Sequence, residues 1–425
     1  MNAWPRASLH LDSGREFRGG QRQVLYLLEG LVRRGQEVLL ACPRDSDLGA
    51  RAEALGIPIL PLTLRSGFDF PSAVRLARTA RDAGFDLVHA HDARSHAVAR
   101  VAQGVCRSPA LADNLFVTRR SIGASTGRLD RLKYAAPGTS YIAISTAVRD
   151  SLLRLGVTPA SIAIVPSGVD VQRFAAAGRL ERDPWGLRER GRWVIGSVGE
   201  LAREKNHALL LEALARAHRR VPEAHLLLVG DGAKRRALEH RAAALGIAEN
   251  VTFAGRLEDV LPAYATFDVF VLSSDSEGLG TALLDAMSAG IPVVATAVGG
   301  VLDVARHGES ALVVPRRDPG ALAGALLRLR EQPDLAERIV RGGRAVAARF
   351  DIERMVDGTM ATYARLGSLP AAKAPSAGGD GAQGVTASAT AALRDAAVPP
   401  VRRPVWPGAG RLRRDAALPP EERAP

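Results

Sequence analysis

The sequence predicts an α/β protein: two doubly wound parallel sheets facing each other across a cleft, followed by a disordered tail. Three observations carry this. Short apolar runs alternate with amphipathic segments, the pattern of strand–helix–strand crossovers in a parallel sheet. The alternation runs twice, on either side of a polar stretch at residues 171–192 that contains Pro184 and glycines and has little periodicity. The chain's 425 residues are also too many for one ordinary core and enough for two domains with extras.

The elements follow in order. In the first half, apolar runs predict strands at 7–11, 37–41, 59–62, 86–90, 110–112, 141–144 and 162–165. Helical patterns lie between them, among them 21–34 and 71–83. In the second half, strands are expected at 193–198, 224–229, 250–253, 269–272, 292–295 and 311–314. Helices are expected at 207–220, 234–245, 281–289, 319–331, 334–347 and 352–366. The domains are therefore 1–170 and 193–366, both Rossmann-like, joined by a linker at 171–192. From 367 to 425 the composition collapses to Ala, Pro, Gly, Ser and Arg, which cannot bury enough surface to offset its ordering entropy.

Composition excludes several classes. No run of about 18 apolar residues offers a membrane-spanning helix. Met1 to His10 lack a basic start followed by an apolar stretch, so a secretory signal is not expected. Two cysteines, Cys42 and Cys106, make neither a disulfide framework nor a zinc site, and a reducing cytoplasmic compartment is expected. The net charge is +12, and residues 1–170 hold the largest share, 22 basic against 15 acidic. Such a field favours an anionic partner or is simply a solvated arginine-rich surface. A nucleic-acid partner is not expected, because aromatics are only 4% and do not interleave with basic residues.

The usual nucleotide fingerprints are absent. Neither Lys205 nor Lys234 completes a G-x-x-x-x-G-K-[ST] loop, and no G-x-G-x-x-G follows the first strand. Other glycines do stand where strands give way to helices. Gly19 and Gly20 open a helix after the first strand, where backbone N–H groups can approach an anion. Gly199 follows the first strand of the second domain, with Arg203 and Lys205 just beyond it, and a lysine there can reach a phosphate. The most informative segment runs from Ser273 to Thr296. A strand enters a polar loop carrying Glu277, then Gly278-Leu279-Gly280-Thr281 opens a helix with Asp285 just over one turn in. A helix N-terminus accepts a diphosphate, and ionised carboxylates accept hydrogen bonds from sugar hydroxyls. Taken singly, each acid also fits an ordinary helix start.

Taken together, Glu277-Gly278-Leu279-Gly280 and the run from Asp285 to Ala295 resemble the E-x7-E signature of retaining glycosyltransferases of family 4, with the GT-B fold. Further stretches are similar to that family in the same order: Leu87 to Asp92 with His89 and His91, Ala143-Ile144-Ser145, Val165 to Asp170, and Gly299-Gly300-Val301-Leu302-Asp303. The likeness covers about residues 9–366. It implies a nucleotide-diphosphate sugar in the interdomain cleft, held mostly by the second domain. By that resemblance Glu277 would bind sugar hydroxyls, backbone N–H groups from Gly278 to Thr281 would hold phosphate or sugar, and Asp285 would hold the ribose. Lys205 would neutralise the departing diphosphate, Gly20 would bring backbone close to it, and His91 would sit beside the transferring sugar. His89 is expected on the opposite sheet face, in a structural role.

Three positions depart from the family's pattern. Asp285 replaces a Glu, Glu200 stands where an Arg is frequent (with Arg203 as a substitute cation), and Asp303 replaces a Glu near the donor. The expected activity is sugar transfer from a UDP- or GDP-sugar to a hydroxyl acceptor, with retention and without a metal or other cofactor. The acceptor is expected to be an anionic lipid-linked glycan or cell-envelope saccharide such as lipopolysaccharide. Arg119, Arg120 and Lys133 would border its site, and the protein would touch the cytoplasmic membrane face peripherally. Arg256 is expected to line the base pocket. A non-catalytic nucleotide-sugar sensor and a nucleotide-sugar epimerase are the alternatives.

Overall fold

The structure is a computed structural model that describes residues 5–105, 108–123, 127–177 and 183–368. Strands β1 (Ala7–Leu11), β2 (Glu37–Cys42), β3 (Ile59–Pro61), β4 (Leu87–Ala90), β5 (Leu115–Arg119), β6 (Thr139–Ala143) and β7 (Ile162–Ile164) form one parallel sheet in the order β3-β2-β1-β4-β5-β6-β7. Strands β8 (Trp193–Val198), β9 (Ala224–Val229), β10 (Val251–Gly255), β11 (Val269–Leu272), β12 (Val293–Thr296) and β13 (Leu312–Val314) form a second, in the order β10-β9-β8-β11-β12-β13. The central strands are apolar without alternation because helices cover both faces. Leu226, Leu227 and Leu228 of β9 are all fully buried. In each sheet the strand order reverses once, between β1 and β4 and between β8 and β11. A doubly wound sheet opens a crevice at the carboxyl ends of those strands. The residues singled out from the sequence lie at these two crevices.

The sequence misplaces one strand. Residues 110–112 belong to a short helix, Pro109–Ala112, and the strand follows at Leu115–Arg119. Proline at the first helical position fixes φ for a helix, while Phe116, Val117 and Thr118 suit a pleated, buried surface. The linker also starts with structure. Asp170 caps a helix, Val171–Ala175, by accepting from the Arg173 N–H at 3.0 Å. That helix buries Phe174 against the Tyr264 ring, 5.1 Å away.

The last helix, Ile352–Leu366, packs on the first domain instead of closing the second. The chain crosses back where the Val169 N–H donates to the Phe350 carbonyl at 2.8 Å. Gly30, inside the Gly19–Arg33 helix, lets the two helices meet: a Cβ there would lie 2.5 Å from Val356 Cγ2. The expectation of a disordered tail falls, apart from Gly367 and Ser368, outside the described residues.

Candidate active site

The second domain's half of the site rests on the loop between β11 and the Thr281–Ala289 helix. Glu277 is buried, and its Oε1 accepts from Lys205 Nζ at 2.6 Å and from Ser274 Oγ at 2.7 Å. Lys205 is held in reach by the same loop. Ser273 Oγ donates to the Lys205 carbonyl at 3.0 Å, and the Asp275 N–H donates to the Glu204 carbonyl at 2.8 Å. Gly199 lies directly below, with room for a Cβ only 3.8 Å from Lys205 Cε. The Thr281–Ala289 helix starts from Gly280 in the left-handed region, φ +83°, and no side chain caps its first turn. Its leading N–H groups are therefore open to an anion. Leu279 is buried and anchors the loop.

The two halves touch closely. A Cβ at Gly278 would run into the Arg120 carbonyl oxygen at the end of β5. One at Gly300 would meet the Gly278 carbonyl oxygen and lie 2.8 Å from Ser145 Cβ. Glycine at both positions therefore lets the Glu277 loop rest against the first domain. Asp303, one turn beyond Gly300, accepts from the Thr146 N–H at 2.7 Å and so tethers the two domains. Gly19 faces the Thr281–Ala289 helix, with Thr281 Oγ1 4.0 Å from its Cβ position, and Gly20 faces Arg120 Cδ at 3.9 Å.

Ion pairs close the cleft. Glu200 pairs with Arg18 at 2.6 Å, and Arg256 pairs with Glu16 at 2.5 Å. Asp285 is buried and pairs with Arg22 of the Gly19–Arg33 helix, Nη2 to Oδ2 at 2.7 Å. Burial pushes the Asp285 carboxyl above its usual range, and the Arg22 guanidinium opposes that shift. Arg203 is exposed and does not join Lys205 at Glu277.

The crevice of the first sheet holds Asp12, His91, Asp92 and Arg120. Asp12 Oδ1 accepts from Gln21 Nε2 at 3.0 Å and from the Gly14 N–H at 2.8 Å. Burial, with Asp92 nearby, raises its pKa to about 6. Arg120 donates to the His91 carbonyl at 2.9 Å, and burial lowers its pKa to about 10 against the pull of Asp12 and Asp92. His91 Nε2 meets His10 Nδ1 at 2.9 Å, while its Nδ1 meets Arg120 Nη2 at 3.5 Å. An arginine only donates, so the His91 proton sits on Nε2 and His10 accepts it.

His89 corrects the expectation of an opposite face. Its ring lies 4.1 Å from that of His91, because residues two apart on a strand share a face. His10, His89 and His91 hold ring nitrogens close enough to ligate an ion. Both nitrogens of His10 and of His89 are hydrogen-bonded within the protein, however, His89 to Tyr363 Oη at 2.6 Å and to Thr118 Oγ1 at 2.7 Å. The trio is a polar network that orients His91.

Arg119 and Lys133 do not reach the crevice. Arg119 is buried over the Tyr134 ring at 4.8 Å and donates to the Ser121 carbonyl at 3.1 Å. Lys133 lies over the same ring and pairs with Asp130 at 3.5 Å. Strand alternation is the reason: Arg120, the next residue, points the other way. Sequence reasoning missed Arg22, Asp12, His10 and Tyr363. Only His10 carried a usable signal, as a histidine in a β1 run paired in register with His89.

Comparison with known proteins agrees with this geometry. Residues 17–173 match the model of Glycosyltransferase Family 4, and residues 181–346 match that of Glycosyl transferases group 1. A D-inositol 3-phosphate glycosyltransferase of Salinispora arenicola is 30% identical over 69% of this chain and 72% of its own. The chain belongs to glycosyltransferase family 4. A phosphatidyl-myo-inositol mannosyltransferase of Mycobacterium leprae is 28% identical over 81% of this chain and 92% of its own. Among solved structures, Anabaena Alr3699/HepE in complex with UDP and glucose superposes with a TM-score of 0.73 at 21% identity, covering 84% of this chain and 99% of that one. The fold of this family 4 chain is thus GT-B. No helix among its described residues is long and apolar enough to cross a membrane.

Proposed function

We propose that this chain transfers a hexosyl or N-acetylhexosaminyl group from a UDP- or GDP-sugar to an acceptor hydroxyl, with retention of configuration and without a metal. The observation that carries the reading is the Lys205–Glu277 pair beside the uncapped start of the Thr281–Ala289 helix, whose Thr281 faces Gly19. The bond from the sugar's anomeric carbon to the diphosphate oxygen breaks, and the negative charge grows on the diphosphate. Lys205 and the helix N-terminus stabilise that charge, which is the step where fixed dipoles matter most. Glu277 accepts hydrogen bonds from the sugar's hydroxyls. The acceptor oxygen bonds to the same face of the anomeric carbon, and its proton passes to the departing phosphate. His91, held by His10 and Arg120, lines the sugar from the first domain. A closed cleft keeps water out and limits hydrolysis.

The acceptor is an anionic, phosphate-bearing molecule of lipid or cell-envelope glycan synthesis, reached at the cytoplasmic membrane face. The relatives named for phosphatidyl-myo-inositol and inositol 3-phosphate support this, as does the basic excess of residues 1–170. The test is a calorimetric titration with UDP-glucose, UDP-N-acetylglucosamine, GDP-mannose, UDP and GDP, with a chelator present. Base-selective binding of one donor, weakened by Glu277→Ala, is expected. A folded protein that binds none of them overturns the reading.

A further inference from the structure

Phe68 and Phe70 are the only exposed aromatic side chains among the described residues, at 84% and 57%. In a chain with few aromatics, two of them left in water two positions apart mark a surface that meets something. The loop that carries them is pinned to the protein. Leu64 is buried beneath it, and Arg94 Nη1 donates to the Leu64 carbonyl at 3.3 Å. Gly67 lies against the Ala93–Val105 helix, where a Cβ would come within 2.9 Å of Ala97 Cβ. Asp69 then caps the Phe70–Asp82 helix by accepting from the Ser72 N–H at 3.2 Å. The core thus takes one apolar side chain of this loop and leaves both phenylalanines outside. The rest of the same edge is alike. The loop follows β3, the Ala93–Val105 helix follows β4 and the Arg128–Ala135 helix follows β5, so all three stand at the carboxyl end of the parallel sheet. The His96 and Tyr134 rings, 4.9 Å apart, join the two helices. Leu132 is 70% exposed there. Arg65, Arg94 and Arg131 are exposed and form no ion pair among the described residues. The neighbouring acids are already engaged: Asp69 by Ser72, Asp92 by Ser13 and Ser95, and Asp130 by Lys133.

We propose that this edge is a docking surface for an anionic phospholipid bilayer. Phe68 and Phe70 enter the boundary between headgroups and acyl chains, and Arg65, Arg94 and Arg131 meet lipid phosphates. The inference rests on the reading above that the acceptor is reached at a membrane face, and it names the surface that meets the lipid. Apolar side chains ringed by cations are the combination that holds a protein in that boundary. Each part alone is weak, and the two together give a reversible hold. Arginines without carboxylate partners favour a surface of many phosphates over an ordinary protein partner. Docking at this end turns the crevice of Asp12, His91 and Arg120 towards the lipid, because those residues stand at the same carboxyl end.

The experiment is flotation of the full chain with vesicles of phosphatidylcholine alone or of an equal mixture with phosphatidylglycerol, beside the donor titration. Wild type is expected to float with the anionic vesicles, far less with the neutral ones, and to be released by high salt. Phe68→Ser with Phe70→Ser is expected to weaken binding about tenfold or more through lost apolar burial. Arg65→Glu with Arg131→Glu is expected to weaken it by about the same factor. Leu55→Ser is the control: it removes an exposed leucine that precedes β3, at the opposite end of the same sheet, and leaves binding unchanged. Residues 367–425 are also net basic, so the difference between variants decides, with thermal melting to show that each is folded. Wild-type flotation by the folded double phenylalanine variant overturns the proposal, as does an equal loss in Leu55→Ser. So does a concentration-dependent dimer that the phenylalanine variant abolishes while wild type does not float, which gives the face to a second copy of the chain. Donor binding without flotation sinks this inference alone. Flotation that needs the phenylalanines, in a protein that binds no donor, supports the docking face and sinks the donor reading.

Discussion

Lys205 is one of four lysines in a chain with 53 arginines, and its chemistry explains the choice. A compact ammonium fits between Glu277 and a phosphate, where a planar fork needs a wider, bidentate partner. Removing it in Lys205→Ala takes away a charge-assisted contact that strengthens as the leaving diphosphate gains charge. Turnover is expected to fall about 10²- to 10³-fold, the range seen on losing one oxyanion-type donor, and the melting temperature is expected to fall as well, because the buried Glu277 loses its cation. Initial rates with the donor found by titration check this, and a variant within about threefold of wild type sinks the role. Lys205→Arg is expected to recover little of the loss. The reason Lys205 and Glu277 were legible in the sequence is local. Glu277, Gly278, Gly280, Thr281 and Asp285 lie in one strand–loop–helix passage, and Lys205 follows a strand end by a few residues. Arg22 carried no such mark. Its partner Asp285 is 263 positions away, and nothing in a helix of an arginine-rich chain distinguishes it until the two domains are brought together.

At the scale of elements, the Ile352–Leu366 helix matters most, because it binds the end of the chain to the start of the site. Its Tyr363 is fully buried and donates to or accepts from His89 at 2.6 Å. Tyr363→Phe removes that oxygen and leaves His89 Nδ1 without its partner. A loss of about 1–3 kcal/mol is expected, the cost of one unsatisfied buried group, read as a lower denaturant midpoint at unchanged slope. No shift in midpoint would show that His89 finds another partner. The Gly299 and Gly300 loop is the second such element. Gly300→Ala pushes the Gly278 carbonyl away, so donor binding is expected to drop about tenfold or more while far-UV circular dichroism stays unchanged. Donor affinity equal to wild type would mean that the loop accommodates a methyl. Most elements were legible because their strands are buried on both faces. The runs Ala7–Leu11, Trp193–Val198, Ala224–Val229 and Val269–Leu272 have the bounds their apolar stretches predict. The helix at Pro109–Ala112 looks like a strand from the sequence because three apolar residues, Ala110 to Ala112, carry no period, and the proline before them decides the matter. Which domain the last helix joins is not in its own residues. It follows from Gly30 and Gly168, which open space for it elsewhere in the chain.

At the scale of the whole molecule, the two domains enclose a set of histidines that the fold keeps neutral, and this governs the response to acid. Burial lowers His10 to about 3 and His207 to about 4, and it holds His89, His91 and His96 well below the ordinary histidine value of 6.5. A depressed histidine adds stability above pH 6.5. That stability is lost as the pH falls, since the unfolded chain takes up protons that the folded one refuses. Asp12 acts the other way. Its pKa, raised from 3.8 to about 6, makes the folded state the better proton binder between those values, which offsets about one histidine. Each net proton taken up on unfolding contributes about 1.4 kcal/mol per pH unit below pH 6.5, so these groups together give a slope on the order of a few kcal/mol per pH unit. A domain pair with an ordinary stability of about 5–15 kcal/mol is exhausted within one to three units of that slope. Cooperative acid unfolding is therefore expected near pH 4–5, followed by tryptophan fluorescence together with far-UV circular dichroism. His96→Gln, which removes one of these groups away from the cleft, is expected to shift the midpoint to lower pH. His96 is packed between Tyr134 and Tyr141 with no hydrogen bond to either ring nitrogen among the described residues, so the substitution leaves the His10–His91 contact intact. A midpoint below about pH 3, or one that His96→Gln leaves in place, would mean that these histidines are protonated within the folded state and that the crevice opens to water far more readily than its packing implies.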